Sequence, residues 1–156
     1  MRTLTIVGCG DMKASTACPA AYLYLSTLFR LAREYAEVVG NDWLIMSARH
    51  GLVEPTRVLE PYDYTITGKG KDVWWALRHR IQADFAGYVL DHKDITSGRK
   101  VSGLRVIALV GKTYADILKT TGMRDIIEFP LDGLQIGERQ AWLKRKRKEL
   151  KQLNLF

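Results

Sequence analysis

Two cysteines, Cys9 and Cys18, are too few for a disulfide framework, and three histidines far apart in the chain form no metal-ligand spacing. Free thiols and no structural zinc are expected, and nothing in the sequence calls for a metal or an organic cofactor. No apolar run approaches the roughly 20 residues needed to cross a bilayer. The opening MRTLTIVGCG has neither the long apolar segment nor the cleavage site of a signal peptide, so the expectation is a cytoplasmic protein with no membrane partner. Repeats and low-complexity tracts are absent too, and 156 residues, 47% hydrophobic and 26% charged, read as one globular domain able to bury a core without staples. The phosphate-cradling patterns GxxxxGK[ST] and GxGxxG are also missing, because Gly8-Cys9-Gly10 has no second pair of glycines.

What the chain has in excess is positive charge, concentrated at one place. Of a net +7, six charges come from residues 139–156, where Arg139, Lys144, Arg145, Lys146, Arg147, Lys148 and Lys151 face only Glu149. Such a block suits a polyphosphate, since each neutralised phosphate releases counterions. Arg139, Lys144, Arg145, Arg147 and Lys148 are therefore expected to contact DNA, and no obligate protein partner is inferred. The competing reading is a solvated helix end.

Short apolar runs at residues 4–7, 43–46, 106–110 and 126–129 have the length and bulk of strands buried on both faces. Helical spacing fills the intervals at residues 20–39, 72–89, 114–121 and 138–150, with Gly40 and Gly122 as stops. Residues 91–103 are polar and read as a surface loop, from which Lys93, Arg99 and Lys100 could reach a phosphate. Strands alternating with helices predict an α/β fold, a three-layer sandwich around a four-stranded parallel sheet. The loops that start at Gly8, Ser47, Gly111 and Pro130 would then converge on one cleft at the carboxyl edge, where open parallel sheets bind ligands.

Ionisable side chains gather at that edge. The run at residues 43–46 stops at Ser47, Ala48, Arg49, His50 and Gly51, and Glu60, Pro61, Tyr62 and Asp63 follow on a segment that proline holds extended. The loop after the first strand adds Cys9, Gly10, Asp11 and Lys13. Taken singly, each is as readily a turn or a loop residue; together they propose catalytic roles for Asp11, His50, Glu60 and Asp63. Cys9, Gly10, Lys13, Ser47, Arg49, Tyr62 and the later Gln135 become candidates for holding a substrate.

The segments VGCGDMK, LYLSTLFRLAREYAE, WLIMSARHGLVEP, LEPYD and LDGLQIGERQAWLK, in that order, resemble a family of small bacterial and phage proteins of unknown function, similar to YaaA-type proteins. The resemblance covers most of the chain. It implies a fold similar to that of the uracil-DNA glycosylase superfamily, and some small members resemble an anti-phage DNA glycosylase that excises glucosylated hydroxymethylcytosine. The GQDPY and His-Pro-Ser motifs of uracil-DNA glycosylases do not occur here, so no catalytic residue carries over by alignment.

The expectation is therefore a DNA glycosylase acting on a modified base of phage DNA in antiviral defence. Its transition state resembles an oxocarbenium ion with negative charge building on the departing base, which calls for a carboxylate near the sugar and donors near the base. Asp63, Glu60 and Asp11 are candidates for the first, and His50, Arg49 and Lys13 for the second. A DNA- or RNA-binding module without catalysis would account for the charge but not for carboxylates in a cleft. A nucleotide or nucleoside hydrolase would use the cleft and leave the basic helix without a role.

Overall fold

A computed structural model describes residues 1–97 and 100–155. Its centre is β1, Arg2–Gly8, whose Leu4 and Ile6 face one side of a sheet while Thr5 and Val7 face the other; all four are fully buried. Only a strand covered on both faces needs such a run. Beside it lie β2, Asp42–Ser47, and, on its other flank, β4, Leu104–Leu109, both parallel to it; β5, Ile127–Glu128, extends the sheet parallel to β4. All four strands fall on the expected runs.

A fifth strand corrects the four-stranded, purely parallel expectation. β3, Gly51–Val53, pairs antiparallel with the edge of β2, giving the order β3-β2-β1-β4-β5. The chain reverses because Gly51 adopts φ of 75° and the Ser47 hydroxyl accepts the His50 amide at 3.2 Å. From the next layer, Asp84 accepts the Leu52 amide at 3.0 Å and fastens the new edge. Three residues are too few to show a period, so the sequence reads this stretch as loop.

The expected helix at residues 20–39 is two: α1, Ala20–Leu23, and α2, Thr27–Val39. The break follows from competition for backbone groups. The Leu25 amide donates to the Met12 carbonyl at 2.9 Å instead of continuing α1, and Ser26 then caps α2 by accepting the Phe29 amide at 3.2 Å. The other helices, α3 (Lys71–Asp91), α4 (Lys112–Leu118) and α5 (Ile136–Gln152), lie where spacing puts them. Residues 91–103 are not simply a loop: a 3-10 turn at Lys93–Ile95 buries Ile95, and Thr96–Ser97 pairs with Lys100–Val101. Lys93 and Lys100 are exposed, and Arg99 lies outside the described residues.

The alternation of the strands divides the core. α3 and α4 cover Leu4, Ile6, Met46, Val106 and Ala108; α1, α2 and α5 cover Val7, Ile45, Ile107 and Leu109. The sheet is thus the middle of three layers, and shortening a wholly buried residue such as Ile6 to Ala would cost about 2–5 kcal/mol. α5 rests on a narrow seam, with Leu143 buried and Trp142 against the Tyr35 ring at 5.6 Å between centroids, so most of its surface is left to charged residues. Among the described residues no helix is long and apolar enough to cross a membrane.

The two edges of the sheet are closed differently. At the amino edge Arg2 bonds Asp42 at 2.7 Å and Asp94 at 3.0 Å, and Asp42 also accepts the Tyr88 hydroxyl at 2.8 Å. At the carboxyl edge the chain leaves β1 toward one flank, through α2 to β2, and leaves β4 toward the other, through α4 to β5. Diverging connections open a crevice between the ends of β1 and β4.

Candidate functional site

That crevice is a cavity of about 340 Å³, within the range of about 300–1,000 Å³ in which small ligands are held. Gly8, Cys9, Gly10 and Asp11 form one wall and Val110 to Tyr114 the opposite one; the start of α2 and residues 64–67 enclose the sides, and Leu131, Ile136 and Arg139 complete it. Glycine is needed on both walls. A Cβ at Gly10 would lie 2.9 Å from the Ser26 hydroxyl, and one at Gly111 would lie 3.3 Å from Arg139 Nη1. Gly111 thus leaves room for the close approach of the guanidinium, and Arg139 Nε is buried with no hydrogen-bond partner among the described residues.

A second cavity, about 380 Å³, opens at the end of β2 between Ala48, Arg49, His50 and Tyr64. Tyr64 lines both cavities. Behind it lies a cluster of hydroxyls. Tyr62 OH is 2.8 Å from Ser47 Oγ and 2.6 Å from Tyr24 OH, while Tyr114 OH accepts the Ala48 amide at 3.0 Å and meets Cys9 Sγ at 3.3 Å. Burial is the main force raising the pKa of Tyr24, Tyr62, Tyr114 and Cys9 above their ordinary values. The cluster is therefore neutral at neutral pH, and Cys9 is a thiol rather than a nucleophilic thiolate. The Lys13 ammonium sits 4.3 Å above the Tyr62 ring, and His50 meets the same ring edge-on at 5.1 Å. Burial first, then Arg57, Arg49 and Arg80, push the His50 pKa below the ordinary 6.5, so its imidazole is neutral.

The expected residues sort into five groups. Cys9, Gly10 and Asp11 meet Arg139 in the first cavity, whereas Arg49 and His50 line the second. Ser47, Tyr62 and Lys13 line neither cavity and meet one another at the hydroxyl cluster. Glu60 and Asp63 are exposed and line neither cavity. Gln135 is exposed and caps α5 through a reciprocal box with Glu138, whose carboxylate accepts the Gln135 amide at 3.2 Å. The four expected loops thus converge on two adjoining cavities rather than one.

Lys144, Arg145 and Lys148 are exposed on the outer face of α5 and form no ion pair among the described residues. Arg147 turns inward, with Nε 3.3 Å from Glu34 on α2. Sequence reasoning missed Tyr24, Tyr64 and Tyr114. Tyr114 carried a usable signal, since it follows the strand-end turn Gly111-Lys112-Thr113. Tyr24 sits in a stretch whose spacing predicts an uninterrupted helix, so nothing singled it out. Among the described residues no three His, Cys, Asp or Glu side chains gather as a metal site would require.

Fold and cavities together define a doubly wound α/β protein with a crevice at the point where the strand order reverses. The model of a family of unknown function (DUF6884) matches residues 4–145, and the chain belongs to that family. It is similar to the uncharacterized protein YfjM of Bacillus subtilis (strain 168), with 27% identity over 139 residues that span 84% of this chain and 85% of that one. No solved structure matches it.

Proposed function

We propose that this protein is a DNA glycosylase that hydrolyses the N-glycosidic bond of a modified base in phage DNA and leaves an abasic site. One observation carries the reading: Asp11 and Arg139 line the same cavity, and Arg139 is the first basic residue of the helix whose outer face bears cations without ion pairs among the described residues. A carboxylate for the sugar and a grip for the backbone are thereby joined at one crevice. The sequence resemblance to the uracil-DNA glycosylase superfamily, which implies a parallel sheet, is consistent with the parallel core of this one, and the resemblance to enzymes acting on glucosylated hydroxymethylcytosine suggests that base as the target. An enzyme of this kind works where phage DNA enters, in the cytoplasm.

The target nucleotide turns out of the duplex into the first cavity. As the bond from C1′ to the base nitrogen lengthens, its electron pair leaves with the base, and the Asp11 carboxylate stabilises the positive charge growing on the sugar. A water oxygen then bonds to C1′ and gives its proton to that carboxylate or to solvent, and the released base takes up a proton. A neutral His50 can donate to the anionic base or orient the water from the adjoining cavity. No step requires Glu60 or Asp63, which belong to an exposed segment.

The test is to incubate the protein with DNA from phages carrying different modified bases and then cleave with alkali at abasic sites. Breaks confined to one modified DNA, and lost with Asp11→Asn, are expected. Intact strands in every DNA would overturn the reading.

A further inference from the structure

The glycosylase reading turns the base into the first cavity and takes from the second only the His50 side chain, so the space of the second is left without an occupant. The two differ in charge. Asp11 lines the first, whereas no carboxylate lines the second, whose charged wall is Arg49. Two more guanidiniums lie close by: Arg57 and Arg80 both act electrostatically on His50, and a Cβ placed on Gly51 would stand 2.8 Å from the Arg80 side chain. Arg80 is compensated by Asp84 at 3.2 Å. Arg49 and Arg57 are exposed and form no ion pair among the described residues. Glu54 and Glu60 lie on the same stretch of chain and pair with neither. Uncompensated guanidiniums around a concave, partly desolvated surface select an anion, and the planar fork of arginine matches the oxygens of a phosphate.

We propose that the second cavity is a phosphodiester subsite, in which Arg49, supported by Arg57, holds the linkage beside the nucleotide whose base occupies the first cavity, with Tyr64 as the partition between base and backbone. This rests on the nucleic-acid reading of the first cavity. Its position follows from the shared lining: Tyr64 borders both cavities, so the backbone of a strand whose base enters the first lies within reach of the second. Neutral His50, which lines the same cavity, brings no negative charge to compete with the anion. The subsite differs in kind from the outer face of α5, which offers long exposed cations and no concavity, and so attracts a polyanion without selecting one linkage.

The test uses the full chain and a short single-stranded thymidylate oligonucleotide, so that binding is read without turnover. Each phosphodiester in turn is replaced by a neutral methylphosphonate, and the dissociation constant is measured at one fixed salt concentration. One linkage should stand out, with a loss of about tenfold, as expected for a charge-assisted bidentate contact. In Arg49→Gln that replacement should cost nothing further, because the partner is already gone. Arg49→Lys, which keeps the charge and loses the fork, should recover part of the affinity, and both variants should melt with the wild type because the side chain is exposed. Equal losses at every linkage, losses that simply add to that of Arg49→Gln, or no binding of the oligonucleotide would each overturn the proposal. Thymidine 5′-monophosphate distinguishes the source of the phosphate: if it binds as tightly as the oligonucleotide and with the same dependence on Arg49, the site serves a free nucleotide and the strand proposal is wrong. Failure here is separable from failure of the glycosylase reading. Base release with purely additive binding losses removes only the subsite, whereas coupling at one linkage with no base release from any DNA removes only the glycosylase.

Discussion

The two edges of the sheet are built from the same strands and use charge in opposite ways. At the amino edge Arg2 is shared between Asp42 and Asp94, and Asp42 is further bonded by Tyr88 and approached by His92 Nε2 at 3.5 Å. At the carboxyl edge the tightly bonded groups are mostly neutral hydroxyls; of the charged residues that line the cavities, Lys112 pairs with Asp116 at 2.7 Å, whereas Asp11, Arg49 and Arg139 form no ion pair among the described residues. Charges that neutralise one another locally have little left to offer a ligand. Those left open on concave ground keep their field available, and that is how a site differs from a seam.

The sharpest way to break this contrast is to remove one open charge and one closed charge and compare the outcomes. Asp11→Asn should lower base release by about a hundredfold or more, because a growing oxocarbenium ion gains from a full negative charge that the amide lacks, while DNA affinity stays within about twofold. Rates of alkali-labile site formation and dissociation constants measured side by side decide it. Equal loss of both would assign Asp11 to the structure of the loop. Glu60→Gln and Asp63→Asn should have much smaller effects, and an equally large loss from either would move the chemistry out of the first cavity.

α5 repeats the contrast within one helix, since Arg147 is turned toward Glu34 and Lys146 toward Glu149, whereas Lys144, Arg145 and Lys148 are open. Changing the three open residues to Gln should weaken binding to any duplex and lower the slope of log K against log salt by about 0.9 for each phosphate that is no longer neutralised. Base selectivity should persist. Arg147→Gln should instead reduce thermal stability, because it leaves the Glu34 carboxylate facing the seam without a cation. A salt slope unmoved by the triple change would make the outer face a solvated surface and favour a small-molecule hydrolase.

Most of this architecture was legible because burial on both faces writes itself as continuous apolar runs, and β1, β2, β4 and β5 are such runs. β3 was not, since three residues show no period and its position depends on Gly51 reversing the chain and on Asp84, 32 residues away, accepting the Leu52 amide. The break between α1 and α2 was hidden for a similar reason: the Met12 carbonyl that interrupts it comes from another loop. Of the expected site residues, Asp11, His50 and Arg49, which were singled out for lying just after strands, do line a cavity. Glu60 and Asp63 looked equivalent to Asp11 in sequence, because local chemistry does not say which side of an extended segment faces a cavity. Tyr64 had no signal at all, for only the folded chain brings it to the lining of both cavities.

Asp42→Asn tests the closed edge with a smaller effect. The amide keeps a hydrogen-bond acceptor for Tyr88 and loses the charge that Arg2 faces, so a fall in melting temperature of about 2–4 °C is expected, as for a partly exposed network. Turnover and DNA binding should not change. A loss of activity at constant stability would show that the two edges are coupled through the strands.

The smallest expected effect is the titration of His50, and it tests whether the cations at the carboxyl edge are truly uncompensated. Burial is the first cause of its lowered pKa, and Arg57, Arg49 and Arg80 follow in that order. The folded protein therefore binds this proton less readily than the unfolded chain does. The contribution to stability is fully present above the ordinary 6.5 and is lost as pH falls through the lower folded value. His50→Gln should remove that acid sensitivity and change little at neutral pH. Following the ring protons by nuclear magnetic resonance gives the sharper reading: Arg57→Gln should move the titration back toward the ordinary value at least as far as Arg49→Gln, and bound phosphodiester should raise it further by supplying the missing negative charge. An imidazole that titrates at its ordinary value in the free protein, and ignores both substitutions, would mean that solvent already screens these guanidiniums. The carboxyl edge would then differ from the amino edge only in its shape.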